Sequence, residues 1–337
     1  MTAHAVLCLA VLAALLPSDR VLAASAPAKS IIAHAAVNAR VLPLWVAREQ
    51  GFFTKYGVPA EPIFIRQAPT LVAALTSGDI QIGYTGGTAV LGAAASGSDL
   101  KILAAFTNRV TYDVVAKKGI KTPEDLRGKI FGVQSIGGTV WMGAILALEY
   151  FGLDPVRDKI SLIAAGDQSV LAQALVAGTI DVTVLDGVMS RTLRENGYPI
   201  LAELSKANIP ISSVGIVAKE SFIQSNVQLV ENLMRALLES EAFIFGASNK
   251  PKAVAILKRY LRINDQEAEE GYKDVINGLD RKPYANLAGL RNVQRLMKLR
   301  NPAVEKVKIE ELVDDRFMKK LDESGFIDQM YARYGVK

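Results

Sequence analysis

Residues 74–87 read Ala-Leu-Thr-Ser-Gly-Asp-Ile-Gln-Ile-Gly-Tyr-Thr-Gly-Gly, and residues 174–187 read Ala-Leu-Val-Ala-Gly-Thr-Ile-Asp-Val-Thr-Val-Leu-Asp-Gly. Ala74/Ala174, Leu75/Leu175, Gly78/Gly178, Ile80/Ile180 and Gly87/Gly187 coincide in one register. The local physics of the two copies is the same. A helix closes on an Ala-Leu pair, and Gly78 or Gly178 supplies the left-handed residue that ends it. A run rich in Ile, Val and Tyr then makes a buried strand. Gly86-Gly87 or Asp186-Gly187 breaks that strand where it leaves the sheet. Ligands of open α/β sheets bind beyond the carboxyl ends of the strands. Two copies therefore predict two lobes, each offering a strand end to one cleft.

Outward from these copies, strands are expected at 31–36, 62–66 and 80–85, with helices at 44–53 and 69–77 between them. A second β-α-β-α-β unit follows, with strands at 130–134, 161–164 and 180–185 and helices at 140–151 and 168–177. Further strands are expected at 101–106, 112–116, 197–204 and 212–218, with 107–111 as a polar loop. From 227 onward the chain reads as helical. The lobes are expected to be joined near 112–115 and 213–216, and paired crossings are the anatomy of a hinge. The fold class is α/β, with two doubly wound lobes. The division is a signal segment at 1–24, a first lobe at 25–112, a second at 113–213, and a return to the first lobe with C-terminal helices at 214–337.

The composition fits this division. The chain has 337 residues, 50% hydrophobic and 22% charged, enough for two cores. Its net charge of +5 is spread along the chain, not gathered into the basic runs of a nucleic-acid binder. Residues 5–16 form an uninterrupted apolar run, too short for a membrane span. The run leads into Val21-Leu22-Ala23-Ala24-Ser25-Ala26, whose small residues suit signal cleavage after Ala24 or, as second choice, after Ala26. The segment ahead of the run carries His4 but no Lys or Arg. Cys8, the single cysteine, lies inside this segment, so a processed chain would hold no thiol or disulfide. Of the two histidines it would keep His34 alone. No metal and no cofactor are expected.

Several residues carry candidate chemistry. In Ser135-Ile136-Gly137-Gly138-Thr139, Gly137 and Gly138 let the backbone approach a ligand, and helix-start N–H groups attract oxyanions. Ser135 and Thr139 add hydroxyls. The plainer reading is a strand–helix turn with Thr139 as N-cap. Tyr84-Thr85-Gly86-Gly87-Thr88 is the equivalent turn of the first lobe, with Thr88 suited to capping and Thr85, Gly86 or the Gly87 amide to facing the cleft. Asn38 to Leu42 forms a third edge, where Arg40 either pairs with an anion or lies solvated. Asn108 is a candidate by its loop position. Trp141 either stacks on a planar ligand or belongs to the core. Asp186 either accepts a ligand N–H or closes an Asx turn.

Leu42-Pro43-Leu44-Trp45-Val46-Ala47, Gly51-Phe52-Phe53 and Tyr56-Gly57-Val58 resemble the start of periplasmic substrate-binding proteins of the nitrate/sulfonate/taurine type, a group that includes the pyrimidine-precursor (NMT1/THI5-like) binders of ABC transporters. The two repeat copies, Ile120 to Lys129 and Gly152-Leu153-Asp154-Pro155 extend the likeness, in order, over roughly residues 31 to 260. The resemblance implies a type II periplasmic-binding fold. It also implies capture of a small solute for a membrane permease, here expected to be that of an ABC importer in the inner membrane served by a monomer. The helix-start site suggests a sulfonate or carboxylate, and Asp186 and Trp141 a cationic or planar portion, so a small organic anion, an amino-containing acid or a pyrimidine-like ring is expected. The alternative is an enzyme of similar architecture acting on a cofactor precursor. The yeast pyrimidine synthases of this fold rely on a cysteine-rich segment and a histidine, and neither is found here. No nucleophile–base pair stands out either, since His34 is a lone histidine on an apolar strand.

N-terminal sequencing of exported protein is expected to begin near Ser25, outside the cytoplasm. Retention of Met1 would overturn the signal reading.

Overall fold

A computed structural model of the chain describes residues 30–66 and 68–337. The expected signal segment, with Cys8, lies outside the described residues. In chain order the described strands are β1 (Ser30–His34), β2 (Ala60–Phe64), β3 (Ile82–Thr85), β4 (Leu100–Arg109), β5 (Asp113–Ala116), β6 (Ile130–Val133), β7 (Ser161–Ala164), β8 (Val182–Leu185), β9 (Ile200–Glu203) and β10 (Pro210–Lys219). They make two five-stranded sheets, ordered β2-β1-β3-β10-β4 and β7-β6-β8-β5-β9. In each sheet three strands run parallel and the fourth position runs against them.

The repeat copies become the middle of each sheet. β3 and β8 are buried along their whole length, as strands covered by helices on both faces must be. Gly78 and Gly178, at the ends of the preceding helices Ala68–Ser77 and Gln168–Ala177, take φ of 90° and 76°. The left-handed stops expected there are present in both lobes.

The strand in fourth place adjoins a crossing between the lobes in both sheets. β5 arrives from the first lobe to pair with β8 and β9, and β10 returns from the second to sit between β3 and β4. The crossings lie slightly outside the expected positions. The first is Val110–Tyr112, and the second falls between β9 and β10, at 204–209. They touch where Val110 N–H donates to the Ile209 carbonyl at 2.9 Å. The expected loop at 107–111 continues β4 as far as Arg109, because Asp280 receives both Asn108 and Arg109. β10 correspondingly joins the first sheet from Pro210, earlier than 214.

The C-terminal helices do not keep to the first lobe. The Asp265–Gly278 helix packs on Gly187–Glu195 of the second lobe. From the Leu287–Lys298 helix, Arg295 reaches Glu149 with two hydrogen bonds of 2.6 and 2.8 Å.

The Val227–Phe245 helix is enclosed over most of its length and carries three buried carboxylates, Glu231, Glu239 and Glu241, the last two only two residues apart. Glu239, 1% exposed, accepts from Lys55 Nζ at 2.6 Å, the Tyr56 hydroxyl at 2.6 Å and the Tyr334 hydroxyl at 2.7 Å. Burial opposes its charge, but these donors hold the carboxyl below the usual glutamate range. Glu241 is 0% exposed and neither oxygen finds a hydrogen-bond partner. Burial, with Asp280 adding to it, pushes this carboxyl well above that range. The folded protein therefore holds a proton on Glu241 that the unfolded chain releases above ordinary glutamate pH. Stability falls by about 1.4 kcal/mol per pH unit between the two pKa values.

Opposite outcomes are expected at the two positions. Glu239→Ala should destabilise by about 1–3 kcal/mol, since it removes the acceptor shared by Lys55, Tyr56, Arg333 and Tyr334. Glu241→Met should raise the denaturation midpoint, more at pH 8 than at pH 5. Equal wild-type and Glu241→Met pH slopes in denaturant titrations would refute the assignment.

Candidate ligand-binding cleft

The carboxyl ends of β1, β3, β6 and β8 face one another between the lobes. A cavity of about 80 Å³ lies among them, lined by Asn38, Arg40, Thr85, Gly86, Ser135, Gly138 and Thr139, together with Tyr112, Gln134, Gln168 and Ser213. Its electrostatics come from helix starts. The Gly87–Ala94 helix begins at N-cap Gly86 and the Thr139–Tyr150 helix at N-cap Gly138, and neither cap has a side chain to bond the first amides. Those amides have no carbonyl within their own helix, and the aligned peptides add a partial positive charge. The arrangement suits an oxyanion. Thr88 and Thr139 fall inside the helices, so the expected capping by either does not occur. Gly86 also lets the return strand approach closely, because a Cβ there would collide with the Ser213 carbonyl.

The third helix start has a carboxylate beside it. Gly187–Glu195 begins at Asp186, whose side chain does not cap it. The Asp274 carboxylate lies so close that a Cβ on Gly187 would strike it, and Asp274 also binds Arg191 at 2.7 Å.

Asp186 instead reaches across the cleft. Arg40 Nη2 lies 2.8 Å from its Oδ1, and the two side chains are only 11% and 13% exposed. Arg40 donates to the Thr111 hydroxyl at 2.9 Å and the Tyr112 hydroxyl at 3.1 Å, with its guanidinium 4.5 Å from the Tyr112 ring centre. The Tyr84 hydroxyl bonds the Arg40 carbonyl at 2.9 Å. Burial works against the Arg40 charge, but Asp186 and Tyr112 hold it above the ordinary range. Burial raises the Asp186 carboxyl, and Arg40 offsets part of that rise. Arg40 is thus no solvated surface residue: its Nη atoms are engaged, while its Nε and the second Asp186 oxygen are buried without a hydrogen-bond partner, and Asp186 closes no Asx turn. A cavity of about 420 Å³ beyond this pair is lined by side chains that already satisfy one another, Arg191 with Glu270 and Asp274, and Arg194 and Lys206 with Glu203.

Other candidates lie elsewhere. Gly87 and Thr88 are buried behind the cavity, Gly87 against Ser212 and Leu290. Gly137 is half-buried and off the cavity wall. Trp141 is 4% exposed within the core, as its plainer reading had it. Asn108 is a correction. Its amide donates to Asp280 and to the carbonyls of Ala105 and Tyr284, and its oxygen accepts from Asn286 N–H, so it anchors the 280–286 segment away from the cleft. His34 is buried, its Nδ1 donates to the Ala36 carbonyl at 2.7 Å, and burial lowers its pKa. Among the described residues no group of three His, Cys, Asp or Glu side chains could hold a metal.

Gln168 was not anticipated. Its Oε1 accepts from Asp186 N–H at 3.0 Å, and its buried Nε2 has no partner. The repeat held the signal, because the register that pairs Ala74 with Ala174 also pairs Ala68 with Gln168, and both line the cavity.

A family profile described as NMT1/THI5 like matches residues 38–251. A binding protein of Brucella abortus is 26% identical over 234 residues, covering 68% of this chain and 70% of that protein. The taurine-binding periplasmic protein of Escherichia coli is 25% identical over 175 residues, 51% of this chain and 53% of that one. The alkanesulfonate-binding protein of Xanthomonas axonopodis, bound to MOPS, superposes with a TM-score of 0.68 at 17% identity, covering 87% of this chain and 100% of that one. A cysteine-to-serine mutant of DSZB in complex with biphenyl-2-sulfinic acid gives 0.62 at 15% identity, with coverage of 88% and 99%. The shared architecture is the expected type II periplasmic-binding-protein fold.

The Arg40–Asp186 pair joins the lobes across the cleft, so removing one partner should loosen them. Asp186→Ala leaves Arg40 buried and uncompensated, a change that costs about 3–5 kcal/mol when no relaxation relieves it. Lobe opening is the available relief. The variant should show a larger scattering radius than wild type without ligand; superposable curves would show that the pair does not hold the lobes.

Proposed function

The chain belongs to the NMT1/THI5-like family, and from that footing we propose that it is an extracytoplasmic receptor that captures a small organic anion between its lobes for an ABC importer. The observation that carries this reading is the convergence of two uncapped helix starts, one from each lobe, on a single interlobe cavity. Thr85 and Gly86 would meet the ligand from one side, and Ser135, Gly138 and Thr139 from the other, with Asn38 and Gln168 at the edge. A ligand touching both sets makes all its contacts only when the lobes are together, and that differential affinity draws the equilibrium toward closure. The relatives' names, binding protein and taurine-binding periplasmic protein, support both role and location. The apolar run at 5–16 and its small-residue cleavage zone support export. The partner is an inner-membrane permease, and the receptor acts as a monomer.

Chemistry on the same fold is the second reading, favoured by the likeness to DSZB. It would need an activated nucleophile. The cleft offers the hydroxyls of Ser135 and Thr139, neither of which bonds a carboxylate or imidazole among the described residues. The Nδ1 of His34 is already committed to Ala36. We therefore favour binding without turnover.

Mass spectrometry of protein incubated with a mixture of small organic anions should recover the captured molecule unchanged; a converted product would favour the enzyme. Thr139→Pro should fold, since Thr139 is the first helical residue and proline is tolerated there. It removes one amide donor and one hydroxyl. Loss of a hydrogen bond to a charged group, about 1.5–3 kcal/mol, should weaken binding roughly tenfold to hundredfold. Calorimetry showing unchanged affinity would exclude this turn from the site.

A further inference from the structure

Asp113 is the first residue of β5, where the chain enters the second lobe from the Val110–Tyr112 crossing. It is 7% exposed and stands on the wall of the cavity of about 420 Å³ beyond the Arg40–Asp186 pair. The Ser190 hydroxyl donates to its Oδ2. The cations of that cavity are taken by other carboxylates. Arg40 lies 2.8 Å from Asp186, and Arg191 lies 2.7 Å from Asp274 and 3.3 Å from Glu270. Arg194 and Lys206 lie 3.0 and 2.6 Å from Glu203. Among the described residues none forms an ion pair with Asp113. A buried carboxylate without a cation of its own is costly to ionise.

The charges around Asp113 come from both lobes. From the second lobe stand Glu203, its partner across β9, then Lys206, and Arg191 and Arg194 on the Gly187–Glu195 helix. From the opposite side stand Arg40 with its partner Asp186, and Glu270 and Asp274 on the Asp265–Gly278 helix. That helix is held to the first lobe by the Lys250–Leu261 helix, which packs on Leu42–Glu49. Asp274 therefore reaches Arg191 across the lobe boundary. Closing the lobes brings two carboxylates, Asp113 and Asp274, toward one arginine. When Asp113 is ionised it repels Asp274 and draws on the same Arg191 charge. When it is protonated the repulsion is gone, and Arg191 is left to Asp274 and Glu270. Burial pushes the Asp113 carboxyl up to about 6, with Glu203 and Asp274 adding to the rise and Ser190 and Arg191 opposing it.

We propose that Asp113 is a proton-controlled brake on lobe closure: as a carboxylate it opposes the approach of Asp274 from the other lobe, and as the acid it lets Arg191 tie the lobes together. Opening the lobes removes Asp274 and rehydrates Asp113, so the carboxyl titrates lower in the open form than in the closed one. Closure then takes up a proton. The closed form gains on the open one as pH falls through 6, by up to about tenfold per pH unit, and the gain levels off at the open-form value. Above 6 the brake is fully applied. The device goes beyond the receptor reading and does not depend on which ligand is captured.

The test is small-angle scattering of the full-length protein, without added ligand, at pH 8 and pH 5. The wild-type radius should shrink at the lower pH, and Asp113→Asn should be compact at both. Burial also raises the Asp186 and Asp274 carboxyls, so the variant identifies the group responsible. Equal responses of wild type and Asp113→Asn would overturn the proposal, as would a wild-type radius that ignores pH. Carboxyl-carbon NMR gives a second readout that needs no change at Asp113. Its resonance should titrate near 6 in wild type and lower in Asp274→Asn. An unshifted titration in that variant would show that the two carboxylates do not oppose each other, and the receptor reading would be untouched.

Discussion

A helix that starts inside a protein must find acceptors for its first amides. Three helices start at the cleft between these lobes, and much of the arrangement there follows from how each is satisfied. The helix after β8 begins beside the Asp274 carboxylate, which Arg191 holds. The helices after β3 and β6 begin at glycines without capping side chains. Their starts, Gly86 in one lobe and Gly138 and Thr139 in the other, line one cavity. Asp186 does not cap the helix it starts and pairs with Arg40 instead.

Much of this was legible locally. The paired Gly stops and apolar runs of 74–87 and 174–187 depend on residues a few positions apart, and they marked the central strand of each sheet. The 161–164 strand and the 168–177 and 227–245 helices were likewise readable to the residue. What escaped depends on distant partners. Asn108 and Arg109 look like loop residues until Asp280, 172 and 171 positions away, accepts them into β4. Arg40 and Asp186 each stood out in the sequence, but their pairing across the cleft has no local signature. Trp141 lies on a helix enclosed nearly all round, where apolar spacing cannot separate a core face from a ligand face.

Glu239 and Glu241 illustrate the same limit in the core. Both are carboxylates on one apolar helix, and nothing local separates them. Glu239 turns toward Lys55, Tyr56 and Tyr334, whereas Glu241 meets no partner. Burial is therefore not one environment, because a charge is tolerated where donors from other elements converge and is neutralised where they do not.

The return of β10 to the first sheet also sets an order of assembly. Every strand of the second sheet lies within residues 113–203, so that sheet can form as soon as this contiguous stretch is available. In the first sheet β4 pairs only with β10, and β10 is also what joins it to β3. Until Lys219 has been synthesised the N-terminal hundred or so residues have two separated pieces of sheet and no way to close them. Pairings this distant in sequence form late, and chains emerge from the ribosome at about 5–20 residues per second. The half of the chain that is made first is thus the half that folds last, which keeps it pliable and threadable for several seconds after it appears.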